Sequence, residues 1–361
     1  MMKLGLGLYG NMLNSQNFQF AKQVGATHIV AHVVGHFNTA DARNATAGLY
    51  EQGFGVSMPS PESWTYDWMR DLRQAVNAEG LELVAIENFE PGHWYDVLLD
   101  GPRKHEQMEH LKRIVRDMGR AGIPILGYNF SLAGVWGRVS GNAARGGAGT
   151  VGFHAPLETP IPKGMVWNMV VDPQTFDPQG KSGTIGTVTP EQLWSRLDWF
   201  LQELLPVAEE AHVRLALHPD DPPVPTLRET ARLVYQPRLY DRVLSLHPSH
   251  YNAMELCLGT VAEMSEGDIY DLVDRHSKQG DIAYIHFRNV KGKVPHYDEV
   301  FIDEGDVDMI RLLRILHRNN YEGVLIPDHT PSLSCAAPWH AGMAFALGYM
   351  RSALQIIEEE R

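Results

Sequence analysis

The chain has 361 residues, 44% of them hydrophobic, and a formal net charge of −13. That acidity excludes a general nucleic-acid or anionic-membrane surface, which needs a surplus of Lys and Arg, although a local cation or metal can reverse the field inside a cleft. Two cysteines, Cys257 and Cys335, are too few for a disulfide framework and point to a reducing cytoplasm; no apolar run is long enough for a signal h-region or a membrane span.

Apolar strand-like runs lie at 3–8, 28–33, 81–86, 124–128, 213–217, 253–257, 282–287 and 323–326. Helix-period segments stand between and after them, at 62–79, 104–121, 190–211, 226–235, 266–278, 306–318 and 338–358. The segment at 190–211 opens with Thr189 as N-cap and Pro190 at the first helical position. Strand–helix units in this number predict an α/β fold, a (β/α)8 TIM barrel, as one domain over 1–361. The strands are almost continuously apolar, as a sheet buried on both faces requires. Residues 131–189, after the fourth strand, break the rhythm with GNAARGGAGTVGFH and VDPQTFDPQGKSGTIGTV. A connection this long inside a compact domain reads as an inserted loop or lid over the site; the plainer reading is a surface or subunit-contact insertion.

Four of the late strand runs end on a potential metal ligand: His218, Cys257, His286 and Asp328, at intervals of 39, 29 and 42 residues. One strand, one helix and their loops take about that much chain in such a barrel, and the C-terminal strand ends are where barrel active sites lie. Any one of the four alone reads as a core residue, Cys257 as a small buried hydrophobe. Together, two His, one Cys and one Asp suit a divalent transition metal, Mn²⁺, Fe²⁺, Co²⁺ or Zn²⁺, better than Mg²⁺ or Ca²⁺.

Other polar residues flank these positions. Arg288 could fork onto a substrate carboxylate, or pair with Asp220 or Asp221. Asp220 and Asp221, among Pro219, Pro222 and Pro223, also fit a turn. His329, next to Asp328, is a candidate acid/base group, or else a loop histidine. His32 and His36, Glu87 and Asn88, and Asn129 follow the second, third and fourth strands and suggest a pocket for a sugar or sugar acid. The candidate substrate contacts are Asn129, Asp220, Asn252 and Asn289.

HPDDPP (218–223), PSHYNAMELCLGT (248–260), HFRNVKG (286–292), GDVDM (305–309), PDH (327–329) and GIPILGYNF (122–130) resemble the D-mannonate dehydratase family of xylose-isomerase-like barrels. The resemblance implies a divalent metal, Mn²⁺ above all, on His218, Cys257, His286 and Asp328, with His329 as acid/base residue. It implies removal of water from a sugar acid, D-mannonate by default, to give a 2-keto-3-deoxy acid. The chain departs from the family near its C-terminus: Trp339 and His340 stand where Gly and a functional Tyr are usual, and Phe345 where an Arg is usual. His340 is therefore expected to take the second proton-transfer role, beside His329 and Arg288, or else to contact the substrate. The alternatives are a metal-dependent isomerase or epimerase, a lyase acting on another carbohydrate derivative, and a carbohydrate-binding protein without catalysis. A cytoplasmic homo-oligomer is expected, taking a small sugar acid and neither nucleic acid nor membrane.

Overall fold

The structure is a computed structural model that describes residues 2–34, 55–56, 64–156, 159–167, 170–171, 176–177 and 181–360. In chain order, the elements that frame the site begin with β1 (Lys3–Tyr9), α1 (Ser15–Gln23), β2 (His28–His32), α2 (Tyr66–Ala78), β3 (Glu82–Glu87), α3 (Lys104–Ala121) and β4 (Ile125–Tyr128). A hairpin follows, β5 (Arg138–Ala144) and β6 (Ala148–His154), and then α4 (Pro190–Ala211) and β7 (Arg214–Leu217). Next come α5 (Arg238–Leu246), β8 (Asn252–Cys257), α6 (Ile269–Gln279), β9 (Ile282–His286), β10 (Asn289–Lys293), β11 (His296–Val300), α7 (Met309–Arg318), β12 (Val324–Ile326) and α8 (Pro338–Glu359).

Among the described residues, eight parallel strands close a barrel in the order β1-β12-β9-β8-β7-β4-β3-β2. The TIM barrel expected from the sequence is the fold. Its strands are apolar because both faces are buried: Leu6, Leu8, Ile29, Leu126, Leu215, Leu256 and Ile285 lie in one core under the helices. Leu217 of β7 sits opposite Met254 of β8, and Cys257 opposite His286 of β9. Parallel register therefore points all the strand ends to one mouth, with the ends of β8 and β9 level. No helix among the described residues is long and apolar enough to cross a membrane.

Helix starts follow side-chain capping. Thr189 and Gln192 form a reciprocal capping box at α4, and Asp268 and Asp308 cap α6 and α7. The helix expected at 226–235 is absent. Thr226–Leu227 and Thr230–Ala231 pair as short antiparallel strands, turned by Arg228 and Glu229 at φ 52° and 61°. The amides of Leu233 and Val234 donate to the Asp220 carboxylate, so they cannot serve a helix ladder. The helix of this unit forms instead at α5.

The insertion is not a structureless loop. The β5–β6 hairpin joins the β10–β11 hairpin in a four-stranded antiparallel sheet, in the order β10-β11-β6-β5. His296 of β11 pairs with His154 of β6, and Tyr297 with Phe153. At the turn of the hairpin, Arg145 forks onto Asp303 at 2.9 and 3.2 Å. Its guanidinium lies 5.0 Å from the Phe301 ring and 6.0 Å from that of Phe345. The position where an Arg was expected thus supports the turn of the hairpin.

Candidate active site

His218, just past β7, and Cys257 and His286, at the ends of β8 and β9, present ligand atoms within 4.8 Å of one another. Asp328, two residues beyond β12, places Oδ2 3.5 Å from His286 Nδ1. Its backbone is held at φ 42°, in the left-handed region that costs a non-glycine residue energy and recurs at functional sites. All four sequence-predicted ligands therefore meet at the barrel mouth.

Each imidazole is oriented by its second nitrogen. His218 Nδ1 lies 2.6 Å from the Pro219 carbonyl, which leaves Nε2 for the cluster. His286 Nε2 is 3.1 Å from Glu87 Oε2 and 3.2 Å from Glu255 Oε1, while its Nδ1 is buried without a hydrogen bond. Ligand histidines are commonly held this way by a carboxylate or carbonyl behind them. The Tyr284 hydroxyl donates to Glu87 at 3.0 Å, and His32 Nδ1 lies 3.4 Å from its other oxygen. Burial alone would raise the Glu87 pKa, yet His32 and His286 hold it well below the usual range. Its neighbour Glu255, buried and facing the Glu87 charge, is pushed up to about 8. Burial likewise opposes the Cys257 thiolate, but Arg288 and then the two histidines hold that pKa well below a free thiol's. Two imidazoles, a thiolate and a carboxylate, with an orphaned buried nitrogen among them, fit a divalent transition metal.

Arg288 is enclosed rather than open to a substrate. Its guanidinium nitrogens lie 3.0 Å from Asp221, 3.1 Å from Glu263, 2.7 Å from Glu299 and 3.3 Å from Asp328. The Asp221 pairing weighed from the sequence is what forms, and the expected catalytic role of Arg288 gives way to it. Asp220 is spent on the β7 loop: Oδ1 lies 3.0 Å from Arg232 Nε, and Oδ2 accepts the Leu233 and Val234 amides. Asn252 stands at the opposite end of β8 from Cys257, and its Nδ2 donates to Val243 and His247 carbonyls. Asn289 donates to the Ile302 and Val307 carbonyls, and its Oδ1 accepts the Val290 and Val307 amides. The structure gives these three a structural role in place of the expected substrate contacts: Asp220 and Asn289 are held within their own loops, and Asn252 is buried at the end of β8 away from the mouth. Asn129 remains at the mouth, half-buried and donating to Asn88 at 3.0 Å. His36 lies outside the described residues.

His329 faces the cluster. Its Nδ1 lies 2.6 Å from Glu299 Oε2, and its Nε2 is 3.3 Å from Asp328 Oδ2. Burial works against its charged form, but Asp328 and Glu299 raise its pKa and favour the imidazolium. His340 is placed differently. In the first turn of α8 its Nε2 meets Asn17 Oδ1 at 3.1 Å, and its ring packs edge-on against Phe20 and Trp339. Those contacts tie α8 to α1, so the second proton-transfer role expected of it is corrected to packing.

Sequence reasoning missed Glu255, Glu263, Glu299 and Arg138. Glu255 carried a signal, since it precedes Cys257 by two residues and so shares its face of the strand. Glu299 and Arg138 come from the two hairpins and had none. A cavity of ≈ 640 Å³ opens between hairpin and barrel, lined by Arg138, Ser140, Asn142, Thr150, Glu299 and His329 among others.

A closed parallel barrel with such a cluster at its C-terminal mouth is the arrangement of a TIM-barrel enzyme. The D-mannonate dehydratase (UxuA) family model matches residues 2–351, and the chain belongs to that family, as a hydro-lyase. It is similar to the mannonate dehydratase of Streptococcus pneumoniae (strain 70585), 28% identical over 280 residues, which are 75% of this chain and 76% of the relative. That of Thermotoga maritima is 27% identical over 288 residues, covering 75% and 79%. In three dimensions it resembles the mannonate dehydratase from Streptococcus suis serotype2, with a TM-score of 0.77 at 22% identity over 99% of this chain and 94% of that one. An L-ribulose 3-epimerase matches with a TM-score of 0.56 at 13% identity, covering 100% and 97%. At those identities the two structures speak for the fold alone.

The Asp220 assignment predicts a stability effect. Asp220→Ala leaves the buried Arg232 guanidinium without its carboxylate, and should lower unfolding free energy by about 3–5 kcal/mol. Urea unfolding checks this; a midpoint unchanged from the parent protein would return Asp220 to the list of substrate contacts.

Proposed function

We propose that the protein is a metal-dependent dehydratase of a sugar acid, with D-mannonate the default substrate and 2-keto-3-deoxygluconate the product. One observation carries the reading: in a chain of the D-mannonate dehydratase family, four metal-type donors converge at the strand ends with His329 beside them. His218, Cys257, His286 and Asp328 would hold a divalent ion, Mn²⁺ foremost. When bound it would supply a Lewis acid that polarises substrate oxygens and steadies developing negative charge.

The chain's own residues do the rest. Glu299 keeps the proton on His329 Nδ1, so Nε2 is the atom through which a proton moves. Removal of water takes a proton from the carbon beside the carboxylate and a hydroxyl from the next carbon. His329 Nε2 takes that proton, and the imidazolium so formed, favoured by Asp328 and Glu299, returns it to the departing hydroxyl, which leaves as water. Asn129 and Asn88 at the strand ends, and Ser140, Asn142 and Thr150 on the hairpin, offer hydrogen bonds to the sugar hydroxyls. Segment 131–189 is read as a cover within a single domain spanning 1–361, since its hairpin supplies that wall. A cytoplasmic, homo-oligomeric enzyme is part of the same reading.

Incubated with Mn²⁺ and a panel of aldonic acids, the protein should release 2-keto-3-deoxy acids, and His329→Gln should lower kcat by about 100-fold or more. His340→Phe should keep the pH–rate profile of the parent. Isomerised sugars in place of keto-deoxy acids would overturn the dehydratase reading, and a shifted profile in His340→Phe would restore that residue to the chemistry.

Metal content separates the two cysteines. Cys257→Ser should lose most bound transition metal through dialysis while Cys335→Ser retains it, because only the first removes a thiolate from the donor set. Equal metal in both purified variants would remove Cys257 from the ligands.

The hairpin should be cut more slowly by a protease once an aldonate is bound, since closure protects a cover. Cleavage rates that ignore the ligand would make the insertion a surface decoration.

A further inference from the structure

We propose that Arg138, at the start of the β5–β6 hairpin, receives the carboxylate of the substrate, so that the hairpin sets the preference for an acid over a neutral sugar. This rests on the sugar-acid reading and assigns its recognition to a particular group.

The barrel arginine cannot do it. The Arg288 side chain is 2% exposed and faces carboxylates of Asp221, Glu263, Glu299 and Asp328. One face is also sealed by backbone: a Cβ on Gly259 would stand 2.6 Å from Arg288 Nε. An incoming carboxylate would find that guanidinium saturated with negative partners and walled off.

Arg138 shares two of those carboxylates but differs in exposure and in facing the cavity. Its side chain is 24% exposed, and among the described residues that line the 640 Å³ cavity it is the one permanent cation. It is anchored on one edge, with Nη2 2.6 Å from Asp221 Oδ2 and 3.4 Å from Glu299 Oε1.

Both of its carboxylate partners are heavily shared. Asp221 also accepts from the Tyr297 hydroxyl at 2.7 Å, from Arg288 at 3.0 Å and from the Thr260 hydroxyl at 3.4 Å. Glu299 also serves Arg288 at 2.7 Å and His329 at 2.6 Å. The charge of Arg138 is therefore only partly compensated, and an anion in the cavity would complete it.

Position agrees with the chemistry. Arg138 and His329 stand at the two oxygens of one carboxylate, Glu299. In the proposed reaction the carbons that lose the proton and the hydroxyl lie next to the substrate carboxylate, so its anchor and the proton-transfer group must be neighbours. The rest of that wall, Ser140, Asn142 and Thr150, is neutral and suits hydroxyls.

The test compares an aldonate with its alditol, in which the carboxylate is replaced by a hydroxymethyl group. Both are titrated as ligands of the Mn²⁺-loaded enzyme, and the aldonate is also assayed as substrate. Arg138→Gln should weaken aldonate binding by about 10- to 100-fold and leave alditol binding within about twofold, the scale of one lost charge-assisted contact. Arg138→Lys keeps the charge beside Asp221 but loses the planar fork. It should fold like the parent and fall between the parent and Arg138→Gln. Equal weakening of both ligands would make Arg138 a structural brace and overturn the proposal, as would unchanged aldonate binding in both variants. If the parent enzyme dehydrates aldonates while the variants bind them undiminished, the proposal falls and the dehydratase reading stands. A parent enzyme that neither dehydrates an aldonate nor prefers it to the alditol would end both.

Discussion

A guanidinium buried among acids is what the site depends on. Arg288 is almost wholly buried, and a charge so placed is tolerated only when opposite charges and hydrogen bonds surround it. Its partners come from separate parts of the chain: Asp221 after β7, Glu263 after β8, Glu299 from β11 and Asp328 after β12. Satisfying this one cation therefore draws four strand-end connections together. It also leaves Asp328 beside His286 and Glu299 beside His329, and it lies 3.4 Å from the Cys257 sulfur. The burial that isolates Arg288 from substrate is thus the same burial that arranges the groups suited to chemistry.

A second layer sits inside the barrel. Glu87, Glu255 and Tyr284 form a polar plug beneath His286, at positions where strands of this kind normally place aliphatic side chains. There is little spare room: a Cβ on Gly127 would stand 2.3 Å from both Glu255 Oε2 and the Tyr284 hydroxyl. The glycine is needed there for the plug to fit. Like charges this close cannot both ionise freely, so Glu87 carries the charge and Glu255 tends to keep its proton. The ring of His286 is thereby fixed from behind, with its other nitrogen presented to the ligand cluster.

The C-terminal helix α8 packs against the turn of the β5–β6 hairpin and against α1. Where an Arg is usual, Phe345 packs on Phe301 and under Arg145, which is itself forked onto Asp303. Where a Tyr is usual, His340 joins α8 to Asn17 and Phe20 of α1. Both side chains are engaged in packing, and Arg138 on the β5–β6 hairpin places a cation on the cavity wall.

The sequence by itself determined the barrel, since eight apolar runs separated by helix-length segments admit few other closed arrangements, and α3 and α4 span the residues their periodicity marks. It also placed the four donors His218, Cys257, His286 and Asp328 together, because a polar residue ending an apolar strand has one end of the barrel to occupy. Only tertiary structure decided which of the remaining polar residues face the cavity. Asp220, Asn252, Asn289 and Arg288 have the composition of a site, yet the fold turns the adjoining connections and, for Arg288, several strand ends onto them, and these partners take up their hydrogen bonds. Arg138 and Glu299 were invisible for the complementary reason. Their position at the site comes from antiparallel pairing of two hairpins about 140 residues apart, a long-range register that no local periodicity encodes.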